Sequence, residues 1–207
     1  MKFTYFLNAF LATLAIASPI SSGRDEETGL AARADDEVLT DNYKAVAAAH
    51  PGLQKDKYYY FTIKNSLPDK VENGDAETLT ELQQLQKNLG FDHIGVLVGQ
   101  VTETTRTKPG GKKGKPGKKT TTKDFKGFYI HMTKGKDGKT AQHTSVWSDR
   151  GAQSNQKIEY VGTTTKKGED KAKAEAKAYV EEEDHKVYNI QNNNCNSFAQ
   201  AILGALR

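Results

Sequence analysis

The sequence ends in NIQNNNCNSFAQAILGALR, residues 189–207, which holds the only cysteine of the chain, Cys195. Apolar residues recur in this stretch at helical spacing: Phe198, Ala199, Ile202, Leu203 and Leu206. That period predicts a closing helix with one buried face. Asn194, or an asparagine just before it, is a good N-cap, which would place Cys195 in the first turn, where free backbone N–H groups and the helix dipole favour a thiolate. A lone thiol in this position is either a packed core residue or a nucleophile.

The first residues have the pattern of a secretory signal peptide. Lys2 precedes an apolar run from Phe3 to Ile16, and Ala15–Ala17 offers a small-residue cleavage site. The run is too short to span a bilayer, and no other apolar run is long enough to do so. The predicted organisation is therefore a signal peptide at residues 1–17, a polar linker or propeptide at 18–36, and one exported domain at 37–207.

The single cysteine bears on how that domain is stabilised and what it does. Small exported domains usually rely on paired cysteines, and this chain cannot form an internal disulfide. An odd cysteine in a secreted protein indicates an intermolecular bridge or a reactive thiol, and a buried structural thiol is the third reading. The sequence gives no indication of the oligomeric state.

Positive charge is concentrated in one segment, residues 102–124, which carries eight Lys or Arg against two acids. The segment contributes +6 to the net charge of +4, so the rest of the chain sums to −2. Its Gly, Lys, Pro and Thr composition predicts a disordered basic insertion between two strands. Five of its lysines form a patch suited to a polyanion such as lipid headgroups, acidic polysaccharide or nucleic acid: Lys112, Lys113, Lys115, Lys118 and Lys119. The alternative is a solvated, flexible loop. Placed beside the preceding strand, the patch would lie near the mouth of a site and steer an acidic substrate.

The pattern of the remaining chain predicts an α+β domain. Helices are expected at residues 41–49, from Asn73–Asp75 to a closing Gly90, at 169–184 as an exposed helix with charge pairs, and at the C-terminus. Strands are expected at residues 58–63, 91–101, 125–132, 144–147 and 157–161, with an extended segment at 186–190. This order predicts an antiparallel meander packed against helices, including the C-terminal helix with the cysteine.

Two of the five histidines are candidates for the base that a cysteine nucleophile requires. His93 begins one apolar strand and His131 ends the next, so their imidazoles would approach a common point if the strands pair. The alternative is that each histidine caps a strand edge independently. No local feature sets apart the others: His50, His143 and His185.

Three blocks carry a resemblance to a known group of enzymes. They are DHIGVLVG at 92–99, FYIHM at 128–132 and YNIQNNNCNSFAQAI at 188–202. Together they resemble the circularly permuted papain-like thiol enzymes, in which the histidine strand precedes the cysteine helix. The NCNSF block resembles the PPPDE-type peptidases, which cleave ubiquitin-like conjugates. The spacing of the blocks resembles the lecithin–retinol acyltransferase-like branch, which acts on acyl esters of lipids, and NlpC-type peptidases are more distant. Asn196 stands where the acyltransferase branch usually has an acid.

The resemblance implies a role for each site residue. Cys195 would be the nucleophile, His93 the general base, and His131 the group that orients His93 through its second nitrogen. The backbone N–H of Cys195 would donate to an oxyanion, and Gln100 and Tyr129 are open alternatives for the second donor. No cofactor is implied. A metal is not expected either, since one cysteine with scattered histidines lacks zinc-ligand spacing.

The expected function is thus a secreted cysteine-dependent hydrolase or acyltransferase. It would act on an amide, isopeptide or ester bond in a protein, peptide or lipid substrate. The alternative is a non-catalytic secreted binding or effector protein that uses the lysine-rich loop to hold a polyanion or a host surface.

Overall fold

A computed structural model describes residues 36–67, 79–108, 117–148 and 155–207 of the chain. The elements in chain order are β1 Asp36–Leu39, α1 Asp41–Ala49, β2 Tyr58–Asn65, α2 Glu81–Leu89, β3 His93–Lys108, β4 Lys118–Lys134, β5 Thr140–Val146, β6 Gln156–Thr164, α3 Lys166–Glu181 and α4 Cys195–Leu206. The chain is therefore α+β, as predicted. The expected signal peptide, the linker up to residue 35 and the expected helix start at Asn73–Asp75 lie outside the described residues. Within the described ranges, no helix combines the length and the apolar character that crossing a membrane requires.

The six strands form one mixed sheet in the order β1-β4-β3-β2-β6, with β5 also paired to β4. Strands β2, β3, β4 and β5 follow one another as the predicted antiparallel meander, and β6 returns antiparallel to β2. The sheet is mixed rather than antiparallel as predicted, because β1 pairs in parallel with residues 120–123 of β4. Strand β1 has only four residues and its side chains are largely exposed, so it carries no alternating pattern that would reveal it.

The prediction of a disordered segment at residues 102–124 was also wrong for most of its length. Residues 102–108 of β3 and 118–124 of β4 pair with each other in an extension of the sheet, here called the β3–β4 ribbon, and β1 adds a short third strand along its β4 side. Threonines supply the physical reason, because β-branched side chains favour a strand and pair across it. Thr105 Oγ1, for example, lies 3.1 Å from Thr121 Oγ1. Residues 109–116 lie outside the described part of the chain.

Alternation along the strands buries both faces of the sheet. On β3, Ile94, Val96 and Val98 contribute to a core with α3 and α4, which also contains Cys195. Leu97 on the same strand faces the opposite way, into a second core against α1. The fold therefore has two apolar layers, and neighbouring residues of one strand belong to different layers.

The α3 helix has one buried side, although its composition predicted an exposed helix. Its solvent side carries the expected charge pairs, including Lys166 Nζ at 2.6 Å from Asp170 Oδ1. Its other side buries Ala172 and Ala176 completely in the core shared with α4. Small side chains allow two helices to approach closely, so a helix with few large apolar residues still packs.

Candidate functional site

The start of α4 is fixed by reciprocal capping. Asn194 Oδ1 accepts hydrogen bonds from the backbone N–H groups of Asn196 at 2.9 Å and Ser197 at 3.2 Å. In return, Ser197 Oγ accepts from the Asn194 N–H at 2.8 Å. Asn193 holds the preceding loop by donating from Nδ2 to two of its backbone carbonyls. Cys195 is therefore the first helical residue, as predicted, and it has no exposed surface.

The thiol lies against the backbone on both sides of His93. Its sulfur is 3.9 Å from the carbonyl oxygen of Asp92, and the Ile94 N–H is directed at the sulfur from the other side. The Cys195 N–H donates to the Tyr188 hydroxyl at 3.5 Å. Burial raises the pKa of the thiol above its ordinary value, while donation from the Ile94 N–H and the Tyr188 hydroxyl acts in the opposite direction. The resting cysteine is thus a buried, protonated thiol.

The two predicted histidines meet. His93 Nε2 lies 3.1 Å from His131 Nδ1, with the rings nearly perpendicular at 84°. Burial lowers the pKa of His93, and Asp92 partly offsets this. Burial, followed by the charges of His93 and His143, lowers the pKa of His131 to about 4. Both imidazoles are therefore neutral at pH 7. A single proton lies between His93 Nε2 and His131 Nδ1, so Nδ1 of His93 takes no part in this hydrogen bond.

A third histidine joins this pair, although its sequence context gave no reason to select it. His143 of β5 lies directly opposite His131 in β4, and the rings stack with centroids 4.9 Å apart. Tyr129 stacks on His131 as well, at 4.6 Å. Thr133 Oγ1 lies 2.8 Å from His143 Nε2. No set of three or more His, Cys, Asp or Glu side chains in the described ranges is arranged to hold a metal ion.

The structure does not join the thiol to the imidazoles directly. Among the described residues, no hydrogen bond links Cys195 Sγ to His93 or His131. Strand alternation explains this: Ile94 faces the core that contains Cys195, whereas His93, one residue earlier, points to the other side of the strand, where Leu97 and Tyr129 belong to the second core. The sulfur and the imidazole of His93 therefore approach the same strand end from its two sides.

Lys118 and Lys119 lie far from this strand end, so for these two lysines the expectation that the patch borders the site was wrong. Lys118 and Lys119 begin β4 at the tip of the β3–β4 ribbon, opposite Lys108 and Thr107. An extended strand rises about 3.3 Å per residue, so the tip is up to about 50 Å from His93. Lys118 Nζ forms an ion pair with Asp36 Oδ2 at 2.6 Å. The other three predicted lysines lie outside the described residues: Lys112, Lys113 and Lys115.

Three side chains are candidates for the second oxyanion donor: Gln100 and Tyr129 from the sequence, and Tyr188 from the structure. Gln100 is occupied elsewhere, because its Nε2 donates to the Asp56 carbonyl at 3.0 Å. The Tyr129 hydroxyl is buried and has no hydrogen-bond partner in the described part of the chain, although the Asn65 side chain lies near it. Tyr188 was missed at the sequence level. It stands seven residues before Cys195 in an irregular loop, where no periodicity relates the two.

No protein-family model matches this chain, and neither does any curated protein or any solved structure.

Proposed function

We propose that this protein is a secreted cysteine-dependent hydrolase or acyltransferase related to the permuted papain-like thiol enzymes. The observation that carries the proposal is the convergence at the start of β3. A helix-capped thiol contacts the backbone on both sides of His93, and His93 is hydrogen-bonded to His131. Chain order supports the same relationship, because both histidine strands precede the cysteine helix.

The proposed chemistry begins with a proton transfer. Because the pKa of Cys195 is raised and the pKa of His93 is lowered, the thiol needs a base at the moment of attack. Neutral His93 takes this role through Nδ1 once a local rearrangement on substrate binding brings the imidazole and the sulfur together around the strand end. His131 holds the opposite nitrogen, which fixes the ring. The buried resting thiol also implies that substrate entry displaces a neighbouring side chain.

The covalent steps follow from that transfer. The thiolate sulfur forms a bond to the acyl carbon, and the carbonyl π electrons move to oxygen as an oxyanion, which the Cys195 N–H stabilises. The oxyanion collapses, the bond to the leaving amine or alkoxide breaks, and the leaving group takes the proton from His93. Water or an acceptor alcohol or amine then attacks the thioester while His93 removes its proton, and the departing sulfur regains a proton from His93.

An acetyl ester tests the proposal without knowledge of the natural substrate. p-Nitrophenyl acetate should transfer its acetyl group to Cys195, detected as nitrophenolate release and by peptide mass spectrometry. Cys195→Ala should abolish acylation, and His93→Gln should slow it by about 10²–10⁴-fold. His50→Gln is the matched control, because His50 stacks on Tyr160 rather than on the histidine cluster. Acetylation of the folded protein no faster than that of a free thiol of ordinary pKa would refute the proposal.

A second candidate function is binding of a polyanion by the β3–β4 ribbon. The observation that favours it is the register that sets Lys108 directly opposite Lys118 on one face, with Arg106 two residues further along. Like charges directly opposite each other destabilise a strand pair, and an anion bound between them would reverse that effect. Asp36 compensates only Lys118.

A further inference from the structure

The Tyr188 hydroxyl occupies an unusual position at the candidate site. It accepts a hydrogen bond from the backbone N–H of Cys195 at 3.5 Å, and it also faces the sulfur. Burial, followed by the charge of a Cys195 thiolate, raises the pKa of this hydroxyl, so it remains a protonated donor at neutral pH. One hydroxyl therefore touches both the nucleophile and the backbone donor beside it.

We propose that Tyr188 is a catalytic residue that supplies the second donor to the oxyanion, an inference that rests on the proposed thiol chemistry. The Cys195 nitrogen and the Tyr188 oxygen are 3.5 Å apart. Two donors at that separation can both lie about 2.9 Å from a single oxygen, which is the spacing of an oxyanion hole. An acyl oxygen placed there replaces the Tyr188 hydroxyl as acceptor of the long Cys195 N–H bond and receives a second hydrogen bond from that hydroxyl.

The movement of negative charge from the sulfur to the acyl oxygen is consistent with Tyr188 as an oxyanion donor. Since the Cys195 N–H donates to the hydroxyl oxygen, the proton of the hydroxyl stays available for an acceptor. In the thiolate that acceptor is the sulfur, whose pKa the hydroxyl helps to lower. On attack, the negative charge moves from sulfur to the acyl oxygen, and the same O–H follows it with a small rotation. The Tyr188 hydroxyl therefore stabilises the negative charge on sulfur before the C–S bond forms and on the acyl oxygen afterwards.

The loop that carries Tyr188 is tied down on both sides. The Tyr188 N–H donates to the Gly138 carbonyl at 3.0 Å, and Val187 forms a bridge with Lys139. After it, Asn189 and Asn193 exchange backbone hydrogen bonds at 2.8 Å and 3.0 Å. The half-buried Tyr188 ring packs against the core of α3 and α4. These contacts hold the hydroxyl at the helix start, while its remaining exposed surface leaves a route for substrate.

Two reagents separate this role from a general effect on the thiol. p-Nitrophenyl acetate passes through a tetrahedral oxyanion, whereas iodoacetamide reacts by displacement at a saturated carbon and forms none. Tyr188→Phe should slow acetylation of Cys195 by about 10²-fold, as loss of one oxyanion donor does. Alkylation by iodoacetamide, compared above the pKa of the thiol, should change little.

Tyr59→Phe is the matched control, because it removes another buried hydroxyl, which accepts from the Gln54 N–H at 2.8 Å and lies in the second core against α1. It should leave both rates near those of the wild type. Equal losses in both variants, or a parallel fall of acetylation and alkylation in Tyr188→Phe, would overturn the role of Tyr188 while leaving the thiol chemistry intact. A wild-type protein that is alkylated but never acetylated would instead remove the proposed function, and the role of Tyr188 with it.

A second variant covers the case in which Tyr188→Phe does not fold, as judged by circular dichroism. 3,5-Difluorotyrosine at position 188 keeps the ring and the hydroxyl but lowers the pKa of that hydroxyl. At high pH, where the hydroxyl loses its proton, the acetylation rate should fall, and this fall should occur at lower pH than in the wild type. The pH profile of alkylation should not change. A fall of the acetylation rate at the same pH as in the wild type would contradict the inference.

Discussion

Two tyrosine hydroxyls illustrate how single polar atoms affect stability in this fold. The Tyr129 hydroxyl is buried without a partner among the described residues, so Tyr129→Phe should leave the free energy of unfolding unchanged or raise it. The Tyr179 hydroxyl, by contrast, donates to Asn193 Oδ1 at 3.1 Å and lies 3.2 Å from Ser197 Oγ. Tyr179→Phe should cost about 1–3 kcal/mol, because the buried Asn193 oxygen loses its donor. Urea unfolding of both variants measures the difference, and equal effects would contradict this account.

The histidine cluster should make stability depend on pH. The pKa of His131 falls from 6.5 to about 4 on folding, through burial and the adjacent His93 and His143, so the unfolded chain binds more protons between these values. The free energy of unfolding should therefore decrease as the pH falls from 6.5 to about 4. Carboxylates titrate in the lower part of this window, so the test is a comparison of slopes. His131→Gln should show a shallower decrease than the wild type, and identical slopes would contradict the assignment.

At the scale of residues, the sequence was enough to predict features that depend only on nearby residues in the chain. Asn194 as the N-cap and Cys195 in the first turn follow from local rules, and the structure has both. The contact between His93 and His131 required only that two consecutive strands pair. His143 and Tyr188 could not be selected in this way, because strand register places the first and an irregular loop places the second.

At the scale of elements, two glycines of similar appearance in the sequence should respond in opposite ways. A Cβ on Gly99 of β3 would lie 2.3 Å from the Lys126 carbonyl oxygen and 2.4 Å from Gly127 Cα. Backbone atoms in the middle of a sheet cannot yield, so Gly99→Ala should cost more than about 2 kcal/mol. A Cβ on Gly204 of α4 meets nothing within 4 Å, so Gly204→Ala should stabilise by about 0.4–1 kcal/mol through its helix propensity. Chemical denaturation distinguishes the two, and destabilisation by Gly204→Ala would contradict the open space at that position.

The β3–β4 ribbon shows where composition misleads about an element. Lysine, glycine and proline dominate the centre of residues 102–124, and their low hydrophobicity argues against a packed structure. The ends are different, because threonines recur in both strands and pair across the ribbon, as Thr105 and Thr121 do. A strand needs cross-strand partners rather than a buried core along its whole length. The average composition of residues 102–124 therefore did not reveal that the ends form strands.

At the scale of the whole molecule, the sheet separates two chemically different regions. The thiol and the histidine pair lie at the start of β3, whereas Lys108 and Lys118 lie at the tip of the ribbon. The sequence indicated the α+β class and the meander because these follow from the order of elements. It could not indicate the parallel β1–β4 pair or the full length of the ribbon, since both depend on contacts between distant residues. That separation predicts that the two proposed functions can be lost independently.

The last prediction concerns the ribbon as a polyanion site that acts apart from the thiol. Replacing Arg106, Lys108 and Lys118 together by Gln should weaken binding to heparin, a defined sulfated polyanion, and lower the slope of log affinity against log salt by up to about three. The matched control removes three exposed lysines from α3 instead: Lys167, Lys171 and Lys177. It has the same net charge, so a nonspecific charge effect would weaken both variants equally and refute a ribbon site. Acetylation of Cys195 by p-nitrophenyl acetate should be unchanged in the ribbon variant, because its substitutions lie at the far end of β3. A parallel loss of acetylation would mean that the ribbon belongs to the thiol site after all.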